Sequence, residues 1–350
     1  MLHTRSKAVP VSKPTLDTPS QVDQPVGVRR VTLGALGGAA VLAALPPLQA
    51  QSWPSKPLRL VVPGAPGATI DTTARLLTDG MANELGQPAI VEPKPGAAGM
   101  IAVDDLPASP KVGHTALIGS SSLVSEVPHF VRRKLDMRSA IVPLAELARG
   151  GLVLVAAPTL SVTTLPELIA HAKRHPGKLS YASYSPGTLS HILGLLLNDA
   201  AGIDLVHVGY PGATGALTDV MRGHVPLMFD AMPSSLPHIR AGKLRALAIS
   251  TPARSPILPQ VPTFTELGFP QLQALTWLAL WVAAEVSASA QARLRGAVLK
   301  VLSTPPVRDS LAKLGLEQGR ERSVEALRHA LRTDYEKVGA VLKSIGLKPV

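Results

Sequence analysis

The sequence contains no cysteine. This absence excludes a disulfide scaffold, a cysteine-based zinc site and thiol catalysis. Aromatic residues make up only 3% of the chain, so the core must be built mainly from aliphatic side chains. Charged residues are also scarce at 17%, whereas hydrophobic residues reach 46%, and this balance excludes a disordered chain. A chain of 350 residues with that composition can form one large domain or two medium ones.

Long apolar segments are missing as well. After residue 50, no segment reaches the roughly 18 uninterrupted apolar residues of a membrane-spanning helix. A shorter apolar run at residues 31–45 follows Arg29 and Arg30 and precedes Ala50. This order is typical of a secretory signal, so residues 1–50 are predicted to direct export, with cleavage after Ala50. An uncleaved anchor is the alternative, and the sequence leaves the Sec and twin-arginine routes undecided.

The charge of the chain is strongly basic, with a formal net charge of +11. Residues 1–50 carry five Lys/Arg and two Asp/Glu, so the rest of the chain keeps a net charge of +8. The basic residues are scattered and are not interleaved with aromatic residues, which disfavours nucleic-acid binding. A general preference for anionic ligands is the remaining implication.

Short Val-, Ile- and Leu-rich runs alternate with helical patterns along the chain. This βαβα order predicts an α/β protein with parallel sheets covered by helices on both faces. The strands are expected at residues 58–62, 89–92, 116–119, 152–157, 179–183, 205–208, 227–230 and 244–250, and another apolar stretch covers residues 276–283.

The last part of the sequence predicts helices alone, at residues 288–302, 305–314 and 323–345. Two sheet regions without a linker between them predict two lobes joined by crossing strands. Residues 51–152 and 277–350 are expected to form the first lobe and residues 153–276 the second. The helical tail would then pack back on the first lobe.

Five loops rich in small or hydroxyl residues follow predicted strands, at residues 63–71, 119–122, 181–191, 209–215 and 229–233. Open parallel sheets bind ligands beyond the carboxyl ends of their strands. The first loop precedes a predicted helix, whose free amides and dipole favour a carboxylate or a phosphate. It lacks the Gly-Lys-Ser/Thr of a nucleotide P-loop and the Gly-x-Gly-x-x-Gly of a dinucleotide site. A tight turn with Asp71 as helix cap is the alternative explanation.

Enzymatic chemistry is not favoured by the sequence. Ser185, His191 and Asp230 supply the residue types of a hydrolytic triad, but the chain has no Gly-x-Ser-x-Gly elbow. The histidines are dispersed and no His-Glu-x-x-His motif occurs, so no metal site is predicted. No cofactor is predicted either.

Several ordered motifs resemble one family. They lie at residues 53–63, 66–71, 85–88, 95–99, 176–183, 206–208 and 228–248. Over residues 53–349 the chain resembles the periplasmic receptors of tripartite tricarboxylate transporters, the Bug/TctC family.

The resemblance implies a bilobed periplasmic binding protein fold, type II-like, with the ligand cleft between two α/β lobes. It also implies a monomeric, non-catalytic receptor in the periplasm that presents a small carboxylate or amino acid to membrane permease subunits. A ligand-binding periplasmic sensor or scaffold that acts through a partner protein is the alternative. Compared with the family, residues 135–149 look short and irregular, and Tyr184 stands where a small or polar residue is usual.

The resemblance further implies that loops 63–71 and 183–191, one from each lobe, hold the ligand carboxylate through backbone amides and water. Other loops would complete the cleft. The implied ligand-binding residues are Gly67, Ala68, Thr69, Asp71, Ser120, Ser121, Ser185, Gly187, Thr188, His191, Tyr210, Gly212, Thr214 and Asp230.

Overall fold

Two β-sheets organise residues 53–347, the part of the chain that the computed structural model describes. The predicted signal segment and its cleavage site lie outside the described residues. The strands are β1 Leu58–Val62, β2 Ala89–Pro93, β3 Thr115–Ser120, β4 Ile141–Gly150, β5 Leu152–Ala156, β6 Ser180–Ser183, β7 Val206–Gly209, β8 Leu227–Ala231, β9 Arg245–Ile249, β10 Thr276–Ala283 and β11 Glu317–Gln318.

Helices connect most of these strands and cover the sheets. They are α1 Thr69–Leu85, α2 Met100–Ala108, α3 Ser122–Ser125, α4 Met137–Ala140, α5 Leu165–Arg174, α6 Leu189–Ala201, α7 Ala213–Met221, α8 Met232–Arg240, α9 Ala288–Leu302, α10 Pro305–Lys313 and α11 Val324–Ser344. Within residues 53–347, none of the helices combines the length and the apolar character that a bilayer crossing requires.

Each sheet is the centre of one lobe. The first lobe is built on the order β11-β4-β10-β3-β1-β2, and the second lobe on the order β7-β6-β8-β5-β9. Alternate residues of β5 enter two different apolar clusters, with Leu154 in one and Val153 and Val155 in the other. Since successive side chains of a strand point to opposite faces, the second sheet is buried on both faces. The two-lobed α/β fold predicted from the sequence is confirmed.

The prediction of parallel sheets is wrong for two long strands and for the short strand β11, which runs antiparallel to β4. β10 runs antiparallel to both of its neighbours, β3 and β4, and β5 runs antiparallel to β8 and β9. Both strands begin where the chain passes from one lobe to the other. The other long strands end at that same edge, so a strand that begins there must run in the opposite direction. The sheets are therefore mixed.

The strand β4 is a second departure from the prediction. The sequence predicts no strand within residues 135–149, yet β4 is ten residues long and buried throughout. Its pairing with β10 skips a residue twice, so that Trp281 pairs with Pro143 but Leu280 pairs with Ala145. Such bulges accommodate proline within a sheet and break the alternation of side chains. The sequence of this strand therefore lacks the alternating pattern by which strands are predicted.

The helical tail packs on the first lobe, as predicted. α9 lies against α1, and α11 lies against β4 and α3. The approach of α9 to α1 is close, because a Cβ atom at Gly80 would lie 2.7 Å from the side chain of Val301. The exact lobe boundaries stay a prediction. The chain changes sheet at Gly151, between β4 and β5, and again between β9 and β10.

Candidate functional site

A cavity lies between the two lobes, at the edge where most of the strands end. It encloses about 1080 Å³, including the part that is open to solvent. Its walls come from the segments that follow β1, β2 and β3 in the first lobe, from the end of β4, and from the segments that follow β6, β7 and β8 in the second lobe. This is the position that an open α/β sheet offers to a ligand.

The first loop of the cavity turns at Gly67, which has a φ of 80°. The backbone N–H of Gly67 donates to Oδ2 of Asp71 at 2.9 Å, and Nε of Arg75 donates to the same oxygen at 2.9 Å. Asp71 is buried and is the third residue of α1. Its carboxylate therefore holds the loop from the side that faces away from the cavity, whereas Ala68 and Thr69 line the cavity.

The second lobe contains a loop of the same design. Gly187 has a φ of 83°, and its N–H donates to Nδ1 of His191 at 3.1 Å. Burial, with the neighbouring His207, lowers the pKa of His191 to about 3. The imidazole is therefore neutral at ordinary pH, as an acceptor must be. His191 is also the third residue of its helix, α6.

Five helices begin at the cavity without a side-chain cap. They are α1, α2, α6, α7 and α8, and none of their N-cap side chains accepts a hydrogen bond from the first turn. Since the first amides of a helix have no intrahelical acceptor, helix starts without a side-chain cap can leave donors available for a ligand. Two of the five offer fewer donors, because the amide of Met100 in α2 donates to the carbonyl of Ala97 and because Pro233 in α8 has no N–H. The five N-cap residues all line the cavity and are Ala68, Gly99, Thr188, Gly212 and Ala231.

Helices that begin elsewhere are mostly capped. Thr164, Ser287 and Ser323 cap α5, α9 and α11, respectively, by accepting from an amide of the first turn. None of these three residues lines the cavity. Thr304 of α10 is an exception, because it lies outside the cavity and does not cap its helix.

Tyr184 lines the cavity, but its hydroxyl group is already hydrogen-bonded within the protein. The hydroxyl donates to Oδ1 of Asp230 at 2.7 Å and accepts from the N–H of Ala231 at 2.6 Å. Ser234 and Ser235 donate to the other oxygen of Asp230 at 2.6 and 2.5 Å. Burial raises the pKa of Asp230, and these hydrogen bonds oppose that rise by stabilising the carboxylate. Asp230 thus orients Tyr184 from beneath the cavity wall.

The structure brings the predicted loops together around one cavity. Six of the predicted ligand-binding residues line it, namely Ala68, Thr69, Ser120, Ser185, Thr188 and Gly212. The other eight do not contribute to the lining, namely Gly67, Asp71, Ser121, Gly187, His191, Tyr210, Thr214 and Asp230. Tyr210, for example, donates its hydroxyl to Asp219 at 2.7 Å. Direct ligand contact by any of the fourteen stays a prediction.

Other lining residues were not predicted from the sequence. Arg149, Gly150 and Gly151 come from the β4–β5 crossing, Thr276 from β10, and Leu316 from the segment before β11. Only the topology brings these distant segments to the cleft. The Gly150-Gly151 pair between two apolar strands is the one local pattern that could have indicated the crossing.

The two lobes contact each other beside the cavity. The ring of Phe130 in the first lobe packs edge-on against His191 of the second, with centroids 5.2 Å apart. The hydroxyl of Thr69 lies 3.4 Å from that of Ser234. The two lobes are therefore in direct contact along the side of the cavity.

Metal binding has little support in the described residues. His171 on α5 and His175, the residue that follows this helix, have ring centroids 4.6 Å apart. In residues 53–347, however, no three histidine or acidic side chains are grouped so that they could hold a metal ion.

The chain is similar to known proteins over most of its length. A model of the "Tripartite tricarboxylate transporter family receptor" matches residues 73–347. A protein from the tcbD-tcbE intergenic region of Pseudomonas sp. strain P51 is 33% identical over 296 residues, which are 83% of this chain and 87% of that protein.

Two solved structures from Rhodopseudomonas palustris share the fold. MatC with bound malate is 29% identical, with a TM-score of 0.79 over 83% of this chain and 100% of MatC. Rpa4515 with adipate is 27% identical, with a TM-score of 0.81 over 85% of this chain and 100% of Rpa4515. The chain belongs to the tripartite tricarboxylate transporter receptor family, TctC.

Proposed function

We propose that this protein binds a small carboxylate between its lobes in the periplasm and presents it to the permease subunits of a tripartite tricarboxylate-type transporter. The observation that carries the proposal is the convergence of five uncapped helix starts on one cavity. The membership of the receptor family supports the permease as partner and the periplasm as location.

The helix starts suit a carboxylate for electrostatic reasons. The N-terminus of a helix carries roughly half a positive charge and several amides without intrahelical acceptors. A carboxylate accepts hydrogen bonds from such amides and interacts favourably with the dipole. The bound adipate of Rpa4515 and the bound malate of MatC support the same ligand chemistry for this chain.

The contribution of both lobes to the cavity supports a receptor cycle of opening and closing. The cavity takes its walls from both lobes, so a ligand that contacts both stabilises the closed form. The contacts of Phe130 with His191 and of Thr69 with Ser234 join the two lobes beside the cavity. The closed form would be the one that the permease recognises.

A hydrolytic site at Ser185, His191 and Asp230 is opposed by the hydrogen bonds of these residues. Nδ1 of His191 accepts from Gly187, and Asp230 is bound to Tyr184, Ser234 and Ser235. A triad requires the histidine to be hydrogen-bonded to the acid and to the nucleophile. We therefore propose binding without catalysis.

The test is calorimetric titration of the purified protein with mono-, di- and tricarboxylates and amino acids. We expect one class to bind with a dissociation constant of about 1 μM or lower, which is about −8 kcal/mol. Deletion of the gene should abolish uptake of the same compound. Absence of binding by a folded protein, or uptake that survives the deletion, would contradict the proposal.

A further inference from the structure

The wall of the cavity contains few charged side chains. Among the described residues that line it, Arg149 is the sole charged side chain, and no Asp, Glu, Lys, His, Asn or Gln accompanies it. Nε of Arg149 donates to Oε1 of Glu146 at 2.5 Å, and both side chains are buried. Glu146 also lies 3.8 Å from Nε of Arg322, so one carboxylate is shared by two guanidinium groups. The wall therefore offers a single cationic group, which suffices for one ligand carboxylate and not for two.

Most hydroxyl groups of the wall are engaged as well. The hydroxyls of Ser120 and Thr276 lie 2.8 Å apart and hydrogen-bond to each other. The hydroxyl of Thr188 donates to the carbonyl of Ser185 at 2.8 Å. That of Tyr184 is held by Asp230 and Ala231, as described above. The polar capacity left for a ligand therefore consists mainly of the amides at the helix starts.

The remaining wall is aliphatic. Leu123 and Val127 contribute to it from the segment after β3, Leu278 from β10, Leu316 from the segment before β11 and Leu152 from the start of β5. These side chains are buried, so ligand groups beside them must leave water. Burying a methylene group there is favourable, whereas burying a second carboxylate without a partner is strongly unfavourable.

We propose that the ligand is a monocarboxylate with an apolar body. This inference rests on the proposed function and specifies its substrate class. The single carboxylate binds to the helix starts, and the hydrocarbon part packs on Leu123, Leu278, Leu316 and their aliphatic neighbours. Dicarboxylates and tricarboxylates are disfavoured, because their additional charge meets the aliphatic wall.

Ligand pairs with the same carbon skeleton test the inference. Hexanoate is compared with adipate, and benzoate with terephthalate, by calorimetry on the protein purified as the cell exports it. In at least one pair, we expect the monocarboxylate to bind at least tenfold more tightly. If the dicarboxylate binds more tightly in both pairs, the inference is wrong but the proposed function stands. If the folded protein binds no carboxylate at all, both fail.

A charge placed in the aliphatic wall should reverse the preference. Leu316→Lys supplies a partner for a second carboxylate and should raise the ratio of adipate affinity to hexanoate affinity at least tenfold. Leu347→Lys, at an exposed position outside the cavity, is the matched control and should leave the ratio unchanged.

Equal ratios in the two variants would overturn the inference. If Leu316→Lys does not fold, as judged by circular dichroism, Ser185→Lys places the same charge at a half-buried lining position of the second lobe. The same shift of the ratio toward adipate is expected from that variant, and an unchanged ratio would again overturn the inference.

Discussion

The loops at residues 66–71 and 186–191 face each other from different lobes and have nearly the same backbone. Each begins with Pro-Gly, each glycine has a φ near 80°, and each glycine amide is held by the side chain four residues later. The acceptor is a carboxylate in Asp71 but a neutral imidazole in His191.

The difference between the loops shows which feature the site requires. Asp71 is charged and is paired with the exposed Arg75, whereas His191 packs beside His207 and Phe130. Both acceptors hold the loop through the glycine amide and leave the first amides of the helix unused. The loop therefore depends on an acceptor at the third helical position and on a glycine, and not on one residue type.

The largest expected effect comes from placing a carboxylate on the first loop itself. In Ala68→Asp the new side chain caps α1, which should stabilise the protein by about 1 kcal/mol, and it occupies the site of the ligand carboxylate. Affinity measured by calorimetry should fall about 100-fold, or about 2.7 kcal/mol. Thr188→Asp should act similarly from the other lobe, if the two loops share the carboxylate.

The control for this prediction is Thr304→Asp, at the uncapped start of α10 outside the cavity. It adds a carboxylate at a helix start that does not face the ligand, and it should leave the affinity unchanged. An Ala68→Asp protein that binds within threefold of the parent would show that the amides of α1 do not hold the ligand.

The pH dependence of the free energy of unfolding should show that the acceptor His191 is held neutral in the native protein. The pKa of native His191 is lowered to about 3 from its ordinary value of 6.5, so between these values the unfolded chain binds a proton that the native protein does not. His191 therefore lowers stability as the pH falls from 6.5 toward 3, by roughly 1 kcal/mol per pH unit. His191→Gln keeps an acceptor and should reduce this slope.

Urea unfolding at pH 6.5, 5.5 and 4.5 measures the slope, with His175→Gln at the exposed position directly after α5 as the matched variant. A slope that is the same in the parent and in His191→Gln would mean that His191 is not held neutral.

The two glycines should respond differently to alanine. A left-handed φ costs a non-glycine residue about 1 kcal/mol in either loop. At Gly187 a Cβ would in addition lie 2.9 Å from the ring of Phe130, whereas at Gly67 it would meet no atom within 4 Å. We expect Gly187→Ala to weaken binding about tenfold and Gly67→Ala about threefold, with the difference set by the cost of moving one aromatic ring.

A double mutant identifies the cause of that difference. Phe130→Ala added to Gly187→Ala should bring the loss back to that of Gly67→Ala. If Phe130→Ala gives no relief, the clash between the lobes is not the reason for the stronger effect.

The smallest effect is expected at Asp71. Asp71→Asn keeps an oxygen for the amide of Gly67 and removes only the charge that pairs with Arg75, whose side chain is largely exposed. Affinity should stay within twofold of the parent. Asp71→Leu removes the acceptor and should weaken binding more strongly. Equal losses in the two variants would show that the charge, and not the acceptor, is what matters.

Much of the fold follows from local patterns. The Val- and Leu-rich runs of β1, β5 and β8 and the helices α9 and α11 were all predicted near their observed positions, because each is long, apolar or bounded by Gly and Pro. β4 could not be predicted, because its two bulges disturb the alternation and because Pro143, Glu146 and Arg149 interrupt its apolar character.

The candidate site was predictable in part for a similar reason. Loops that follow strands can be recognised by their small and hydroxyl residues. Ala68, Thr69, Ser185 and Gly212 could therefore be identified from the chain itself. Arg149, Thr276 and Leu316 reach the cavity only through the crossings between lobes and through the helical tail. The direction of β5 and β10 likewise depends on those crossings, which no short window of sequence contains.

The central position of β10 has a consequence for the order of folding. All five strands of the second sheet lie between Leu152 and Ile249, so that sheet can be completed from one continuous segment. The first sheet needs β10 between β3 and β4, and pairs such as Leu278 with Ser120 join distant parts of the chain. Contacts of such long sequence separation form slowly. The first lobe therefore includes residues that are synthesised after the whole second lobe, and we expect it to be completed later than the second lobe.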